Sequence, residues 1–317
     1  VAIVLLHSYK NSIHEELLRN YILDKEPHLH ISLSSEISPI IGEFDRLNTT
    51  CANAYIQPIA EKYLNDLNNH LCSIGVEKFR LIWSDGGLSS LKESILTPIR
   101  LLESGPAGGA LAVSSLSRSS SNTSCIAFDM GGTTAKICLL KDLKPGKATE
   151  FEFGRVHQNK PGSGIKVKVP SIHMLEIGAG GGSIAEVDEL GLLKIGPESA
   201  GSDPGPICYG QGGKNVTITD VNLLLGYLST DKLLAGHLEL NYLRTSEIVD
   251  STARKHNYPT DEFLTGIRKV VNENMSQAIK LHVTELGEDH RQSILYAFGG
   301  AGPLHAYDIC KKLQISS

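Results

Sequence analysis

The sequence predicts an α/β fold in which mixed sheets are flanked by helices. Three observations carry this reading. Strand-like and helix-like segments alternate through residues 1–100. Two apolar strands flank the tight turn Gly131-Gly132-Thr133-Thr134. After Asp220 the chain is mainly helical and returns once to an apolar strand, ILYAF at residues 294–298. Alternation of this kind argues for parallel strands joined by helices, and a strand–turn–strand unit argues for an antiparallel pair.

Taken in order, residues 1–6 (VAIVLL) read as a buried strand. Residues 12–25 read as a helix with Ser12 as N-cap, Glu15 at the capping-box position, and Leu17, Leu18, Tyr21 and Ile22 on one apolar face. A long helix covers about residues 45–73, with a bend expected at Pro58. Residues 79–83 form a short strand that enters the loop Ser84-Asp85-Gly86-Gly87, and the pattern of this first stretch suggests a largely parallel sheet. Residues 117–124 are small and polar, as expected of a loop or a seam between subdomains. The strand–turn–strand unit CIAFDM–GGTT–AKICLL follows. Residues 142–170 are irregular, with Pro145, Gly146, Pro161, Gly162 and Gly164, and residues 177–213 are rich in glycine. Helices are expected at residues 220–228, 246–256 and about 260–286, and a last helix starts at Pro303.

Composition narrows the function classes. The 317 residues allow one large domain or two ordinary ones. Hydrophobic content of 41% and charged content of 21% are ordinary for a soluble globular protein. A net charge of −5 offers neither the basic footprint of a nucleic-acid binder nor a polybasic membrane patch. No apolar run reaches the length of a membrane span. The six cysteines are scattered without a CxxC pair, so neither a zinc site nor a redox motif is indicated; reduced thiols and a cytoplasmic location are expected. The chain opens without Met or a signal peptide, inside an apparent strand, and stops at residues 311–317 without a clear terminal element; a fragment of a longer polypeptide is therefore expected.

Five glycine-bearing stations carry the chemistry. At the first, a strand ends in Asp129, and Gly131, Gly132, Thr133 and Thr134 precede a second strand that carries Lys136. Glycines allow a tight turn that exposes successive N–H groups, which suits phosphate oxygens; the threonine hydroxyls add donors, and Asp129 could hold Mg²⁺ through its waters. A plain hairpin needs the glycines but not the flanking acid and threonines. The second station is Gly178-Ala179-Gly180-Gly181-Gly182-Ser183, where backbone approach to a ligand is the expected reason for the glycines and a structural loop is the alternative. A dinucleotide fingerprint is rejected there, because residues 186–195 read as strand, Leu-Gly turn and strand instead of the required helix. The third is the turn-rich stretch from Gly196 to Pro206, which reads as well as a purely structural turn. The fourth is Ser104-Gly105-Pro106-Ala107-Gly108-Gly109, with Pro106 in the first turn of a helix; anion binding and small-residue packing fit it equally. At the fifth, the strand at 294–298 ends in Gly299, Gly300, Ala301 and Gly302 before Pro303, a flat backbone surface for an adenine or ribose, or a tight strand–helix joint.

Walker A, nucleophile-elbow and HExxH patterns are absent, so any nucleotide is held by another architecture. Two polar residues remain as catalytic candidates. His173 stands just before the second station, where a lone histidine is more often structural. Asp220 stands where a helix N-cap would, which is its leading reading.

These stations, in this order, resemble the hydantoinase A/5-oxoprolinase family. The match rests on SGPAGG (104–109), FDMGGTTAK (128–136), EIGAGGGSIA (176–185), GPESAGSDPGPICYG (196–210), TDVNLLLGYL (219–228) and FGGAGPLHA (298–306), with LLHSYKN (5–11), SLSSE (32–36) and NTTCANAY (48–55) also similar. The family is similar to the actin-like ATPases of ribonuclease H-like fold, in which each of two lobes offers a phosphate-binding hairpin. Residues 128–136 match one hairpin and 298–303 the adenosine joint; the sister hairpin is missing, which implies an incomplete fold. On this reading residues 1–117 complete an N-terminal lobe whose start is absent, and residues 118–317 form the nucleotide-binding lobe.

The resemblance implies ATP and Mg²⁺ as cofactors and a small cyclic amide, 5-oxoproline or a hydantoin, as substrate. It implies phosphorylation of the amide oxygen followed by ring opening, with Asp129, Asp220 and His173 as catalytic candidates and Gly180, Gly181, Gly182 and Ser183 among the nucleotide contacts. A hydantoinase B-type subunit or fused domain is the expected partner in a homo- or hetero-oligomer. Two alternatives stay open: an ATP-dependent carboxylase subunit acting on a ketone, and a nucleotide-binding fragment without activity. Two positions depart from the family pattern: residues 173 and 175 are His and Leu where many members carry an acid and a His, and Asp85 stands where many carry Asn.

Overall fold

The computed structural model describes residues 1–119, 124–154, 162–230 and 238–315. Half of the predicted seam (120–123), Pro161 and the last two residues lie outside them. In chain order the elements are β1 (Ala2–Ile3), α1 (Ile13–Lys25), β2 (Ser32–Leu33), α2 (Ser34–Ile37), α3 (Glu43–Ser73), β3 (Leu81–Ile82), β4 (Leu88–Ser89), α4 (Leu91–Leu96), α5 (Ser104–Leu116), β5 (Cys125–Met130), β6 (Ala135–Lys141), β7 (Lys144–Pro145), β8 (Lys147–Ala148), β9 (Phe151–Phe153), β10 (Ile165–Val167), β11 (Ser171–Ile172), β12 (Leu175–Ile177), β13 (Ser183–Val187), β14 (Leu193–Ser199), α6 (Ile218–Leu224), α7 (Tyr242–Lys255), α8 (Thr260–Glu285), β15 (Ile294–Phe298) and α9 (Gly302–Leu313). The mixed α/β class is as the sequence predicts. The chain divides into two compact units, Val1–Leu111 with Lys147–His173, and Ala112–Gly146 with Met174–Ser317.

The first unit departs from the expected largely parallel sheet. Its strands are short pairs: β1 runs parallel to β2, while β3–β4, β9–β10 and β8–β11 are antiparallel. The apolar run 1–6 yields only two strand residues because Leu5 leaves the sheet. Its amide donates to Glu15 Oε1 (3.0 Å) and its carbonyl accepts from Arg46 Nη2. Glu15 consequently forms no capping box with Ser12, which makes no side-chain cap bond and donates to Glu16 instead. Because α1 turns Glu15 inward, the predicted apolar face is largely open, with Leu17 59% and Tyr21 66% exposed. Helix α3 keeps Pro58 inside an unbroken assignment and buries a polar row: Arg46, Thr49, Thr50, Asn53 and Gln57. Asp85 closes the β3–β4 turn by accepting from Gly87 N (2.9 Å) and pairing with Arg100 (3.2 Å), whose guanidinium lies 3.6 Å from the Trp83 ring.

The second unit is built on one mixed sheet in the order β12-β6-β5-β15, with β7 pairing β6 at the rim. β5 and β6 are antiparallel around the glycine turn, as predicted, and β15 lies parallel to β5 with Phe298 opposite Asp129. β13 and β14 are antiparallel, so strand–turn–strand at 186–195 is correct and no helix follows the second station. Period-two alternation sends Ile126, Phe128 and Met130 of β5 and Ala135, Ile137 and Leu139 of β6 into the apolar core. Helix α8 answers with one row at i, i+4 spacing, Phe263, Ile267, Val271, Met275, Ile279 and Val283, all buried. Each such side chain contributes roughly 1.5–3 kcal/mol by leaving water. α7 starts four residues earlier than expected, at Tyr242, because Asn241 caps it by accepting from Arg244 N at 3.0 Å.

Candidate functional site

Alternation decides where the charged residues of the hairpin go. With Phe128 and Met130 in the core, Asp129 must face the opposite side of β5, and its direct partner across the ladder is Lys136 of β6. Both are half-buried at the turn end of the hairpin. Since β15 runs parallel to β5, the two strands end together, and their glycine loops leave the same edge of the sheet. Carboxyl ends of adjacent parallel strands are where open α/β sheets bind ligands. Ala301 N donates to Met130 O at 2.9 Å and locks the two loops side by side. Gly299 adopts φ +81°, and a Cβ there would overlap Asp129 Oδ1 and Met130 O. Gly302 packs against Met130 N and Phe128 O, whereas Gly300 is exposed and has nothing within 4 Å of a Cβ position.

The turn itself is exposed at Gly131, Gly132 and Thr133. Gly131 N closes it by donating to Thr134 O at 3.0 Å. Among the described residues, the amides of Gly132 and Thr133 donate to no protein acceptor. They are exposed donors beside two threonine hydroxyls and a carboxylate, which fits a Mg²⁺-bound phosphate. Among the described residues no three His, Cys, Asp or Glu groups gather as a metal cluster. Asp129 would hold a Mg²⁺ brought in by a phosphate through the metal's waters.

At the second station the glycine amides have protein acceptors. Gly180, Gly181, Gly182 and Ser183 are buried. Their amides donate within the protein: Gly180 to Ser183 Oγ (2.8 Å), Gly181 to Gly131 O (2.9 Å), Gly182 to Gly132 O (2.6 Å) and Ser183 to Gly180 O (3.0 Å). The close backbone approach inferred for this run exists, but it is to the hairpin turn: a Cβ on Gly180 would lie 2.5 Å from the carbonyl carbon of Thr133. The glycines brace the turn from behind. The third station backs them in turn, through Ala200 N to Gly182 O at 2.9 Å.

For Asp220 the capping reading holds, with a shift of position. Thr217 is the N-cap of α6 and Asp220 is the third residue of a capping box. Its carboxylate is fully buried and accepts from Thr217 N (2.9 Å), Thr217 Oγ1 (2.8 Å), Cys208 N (2.8 Å) and Ile207 N (3.3 Å). With four donors on two oxygens it holds the 206–209 segment to α6. Thr219, which the sequence reading passed over, reaches the site instead: its hydroxyl (2.8 Å) and amide (2.7 Å) both donate to Gly181 O. A Thr at a helix start was visible in the sequence; its partner 38 residues away was not. His173 belongs to the first unit, at the end of the segment Lys147–His173.

Burial raises the Cys138 thiol to about 12, and burial followed by the neighbouring Asp220 carboxylate pushes Cys208 up as well. Neither offers the thiolate that nucleophilic catalysis needs. Two grooves in the second unit, about 440 and 520 Å³, are lined by residues of α8, α9 and their neighbours and contain none of the predicted site residues. No described helix is long and apolar enough to cross a membrane.

Comparison with known proteins finds relatives over the whole chain. An uncharacterized protein of Methanocaldococcus jannaschii is 41% identical over 100% of this chain and 47% of its own. The nucleotide-free structure of acetone carboxylase superposes with a TM-score of 0.83 at 25% identity, covering 99% of this chain and 44% of that one. The ATP-dependent caprolactamase of Pseudomonas jessenii superposes with a TM-score of 0.73 at 30% identity, covering 99% and 45%. The chain thus spans less than half the length of the relatives it matches. The hydantoinase/oxoprolinase family model matches residues 46–317, and the chain belongs to that family.

Proposed function

We propose that this chain is the nucleotide-binding part of an enzyme that hydrolyses a cyclic amide at the expense of ATP. The observation that carries the reading is the shared end of β5 and β15, where exposed turn amides, Asp129 and the bare backbone of Gly300 lie at one sheet edge. Bound Mg-ATP supplies a phosphoryl group that turns the amide oxygen into a leaving group. The chain's own residues bind and orient: the amides of Gly132 and Thr133 with the hydroxyls of Thr133 and Thr134 take phosphate oxygens. Asp129 takes the metal's waters, Lys136 balances charge, and the Gly299–Gly302 joint receives adenosine. Such positioning and charge neutralisation is most of what phosphoryl transfer asks of a protein. One water then adds at the activated carbon and the ring C–N bond breaks with the nitrogen leaving as the amine; a second water takes the resulting acyl phosphate to the carboxylate, so that ADP, phosphate and an amino acid leave. An actin-like clamp and a site completed by a B-type subunit or fused domain are part of this proposal, as is a magnesium requirement.

A second reading is favoured by the acetone carboxylase likeness: a subunit that activates a ketone and bicarbonate. A product-resolved ATPase assay of the full-length protein with its partner, against lactams, hydantoins and ketones, separates the two. ADP formation stimulated by a cyclic amide supports the first. AMP formation dependent on bicarbonate supports the second. No turnover with any cyclic amide overturns the proposal.

A further inference from the structure

Three family-like stretches of the first unit, residues 5–11, 32–36 and 48–55, converge on one buried polar cluster next to Arg46. Glu15 accepts from Leu5 N (3.0 Å), Ser34 Oγ (2.6 Å) and Ser35 N (2.9 Å), and Ser34 Oγ also meets Ser8 Oγ at 2.9 Å. Arg46, on the first turn of α3, is 0% exposed. Its Nη2 donates to Leu5 O, and its guanidinium lies 5.5 Å from the centre of the Tyr9 ring. Its carbonyl accepts from Thr50 Oγ1 at 2.7 Å. Among the described residues, Arg46 Nε and Nη1 are buried and have no acceptor.

That is an anomaly of electrostatics. A guanidinium stays charged, and a buried charge with unused donors costs several kcal/mol unless an anion meets it. No described carboxylate does so. Glu15 reaches Arg46 only through the Leu5 peptide and is held by three donors of its own. Asp45, the chain neighbour of Arg46, points to Lys168 at 3.7 Å. Rigid planar donors of this kind match a carboxylate.

We propose that Arg46 is the receiving residue of a second binding site, specific for a small molecule bearing a carboxylate. The 5–11 segment covers it. Leu6, His7 and Lys10 of that cover are exposed, His7 holds φ +56°, and its Nδ1 meets Tyr9 Oη at 3.2 Å. Entry requires this segment to move, with release of the Ser8–Ser34 and Leu5–Glu15 bonds. The proposal stands independently of the phosphate turn.

The test is thermal unfolding of the full-length protein, with sodium acetate or sodium phosphate replacing chloride at constant ionic strength. Wild type should gain ~2–4 °C saturably with acetate. Arg46→Lys keeps the charge without the planar donors and should weaken the apparent acetate affinity about tenfold. Arg46→Met should abolish the response. A phosphate response that survives in Arg46→Lys belongs to the 131–134 turn and leaves the acetate result to decide. A wild type indifferent to acetate, or an identical non-saturating response in wild type and Arg46→Lys, overturns the proposal and leaves buried water as the partner of Nε and Nη1. If Arg46→Met does not fold, the wild-type and Arg46→Lys titrations still decide it.

Discussion

Thr219 holds Gly181 twice: its amide and its hydroxyl donate to the same carbonyl oxygen, at 2.7 and 2.8 Å. Gly181 in turn donates to Gly131 O, so the N-terminal turn of α6 sets the position of the hairpin turn through one intervening residue. Thr219→Val removes the hydroxyl bond while keeping shape, and leaves a buried carbonyl with one donor fewer. A rise in the KM for ATP of about fivefold is expected, from a loss of about 1 kcal/mol, with kcat changed less. Thr219→Ser should behave as wild type. Steady-state ATPase kinetics of the complete enzyme check this, and equal KM values for Val and Thr would remove Thr219 from the positioning chain.

Asp129 faces away from the core beside Lys136, so its loss leaves the packing of Phe128 and Met130 untouched. Asp129→Ala should weaken Mg-ATP binding by about one to two orders of magnitude, as expected for losing a charged group near a metal and its waters, while the thermal midpoint stays close to wild type. Calorimetric titration with Mg-ATP gives the answer. Unchanged affinity would take Asp129 out of the metal site.

Gly299 and Gly300 are neighbours with opposite expectations. A Cβ at Gly299 overlaps Asp129 and Met130 and meets φ +81°, so Gly299→Ala should lower stability by about 1–3 kcal/mol. A Cβ at Gly300 meets nothing of the protein, so Gly300→Ala should fold normally and lose ATP affinity only if adenosine lies there. Denaturant unfolding and nucleotide titration of both variants separate the effects. Normal ATP binding by Gly300→Ala would move adenosine elsewhere.

His305 sits wholly buried on α9, accepting from Asn222 Nδ2 (3.2 Å) at Nε2 and donating through Nδ1 to Asn272 Oδ1 (2.6 Å). This arrangement requires the neutral ring, because Asn222 Oδ1 already accepts from Arg268 Nη1 at 2.7 Å and its amide nitrogen must face Nε2. Burial first, then Arg268 on α8, lowers the His305 pKa to about 4, while Asp308 on its own helix works in the opposite direction. The unfolded chain, titrating near 6.5, binds the proton more readily. Its stability contribution is therefore complete above about pH 6.5 and falls as pH drops toward 4, by about 3 kcal/mol in all. Denaturant melts of wild type and His305→Asn between pH 7.5 and 4 should show a shallower loss in the variant. Parallel curves would mean that other groups carry the pH dependence.

The sequence by itself determined the local pieces whose causes are local. A Gly-Gly-Thr-Thr turn between two apolar strands makes a hairpin wherever it occurs, and the i, i+4 row of α8 specifies one buried helix face. It also identified the family, because ordered glycine motifs survive reading without coordinates. What it misjudged depended on partners far along the chain. Residues 1–6 kept only Ala2–Ile3 as strand because Leu5 turns to Glu15 and Arg46, and the glycines at 180–182 approach the turn at 131–134. Asp220 keeps the capping role read for it, but as the third residue of the box with four protein donors and not as the N-cap. The tertiary structure alone decided these, since hydrogen-bond partners separated by tens of residues leave no periodicity in sequence. It alone brought the ends of β5 and β15 together, by choosing the parallel register that sets Phe298 against Asp129.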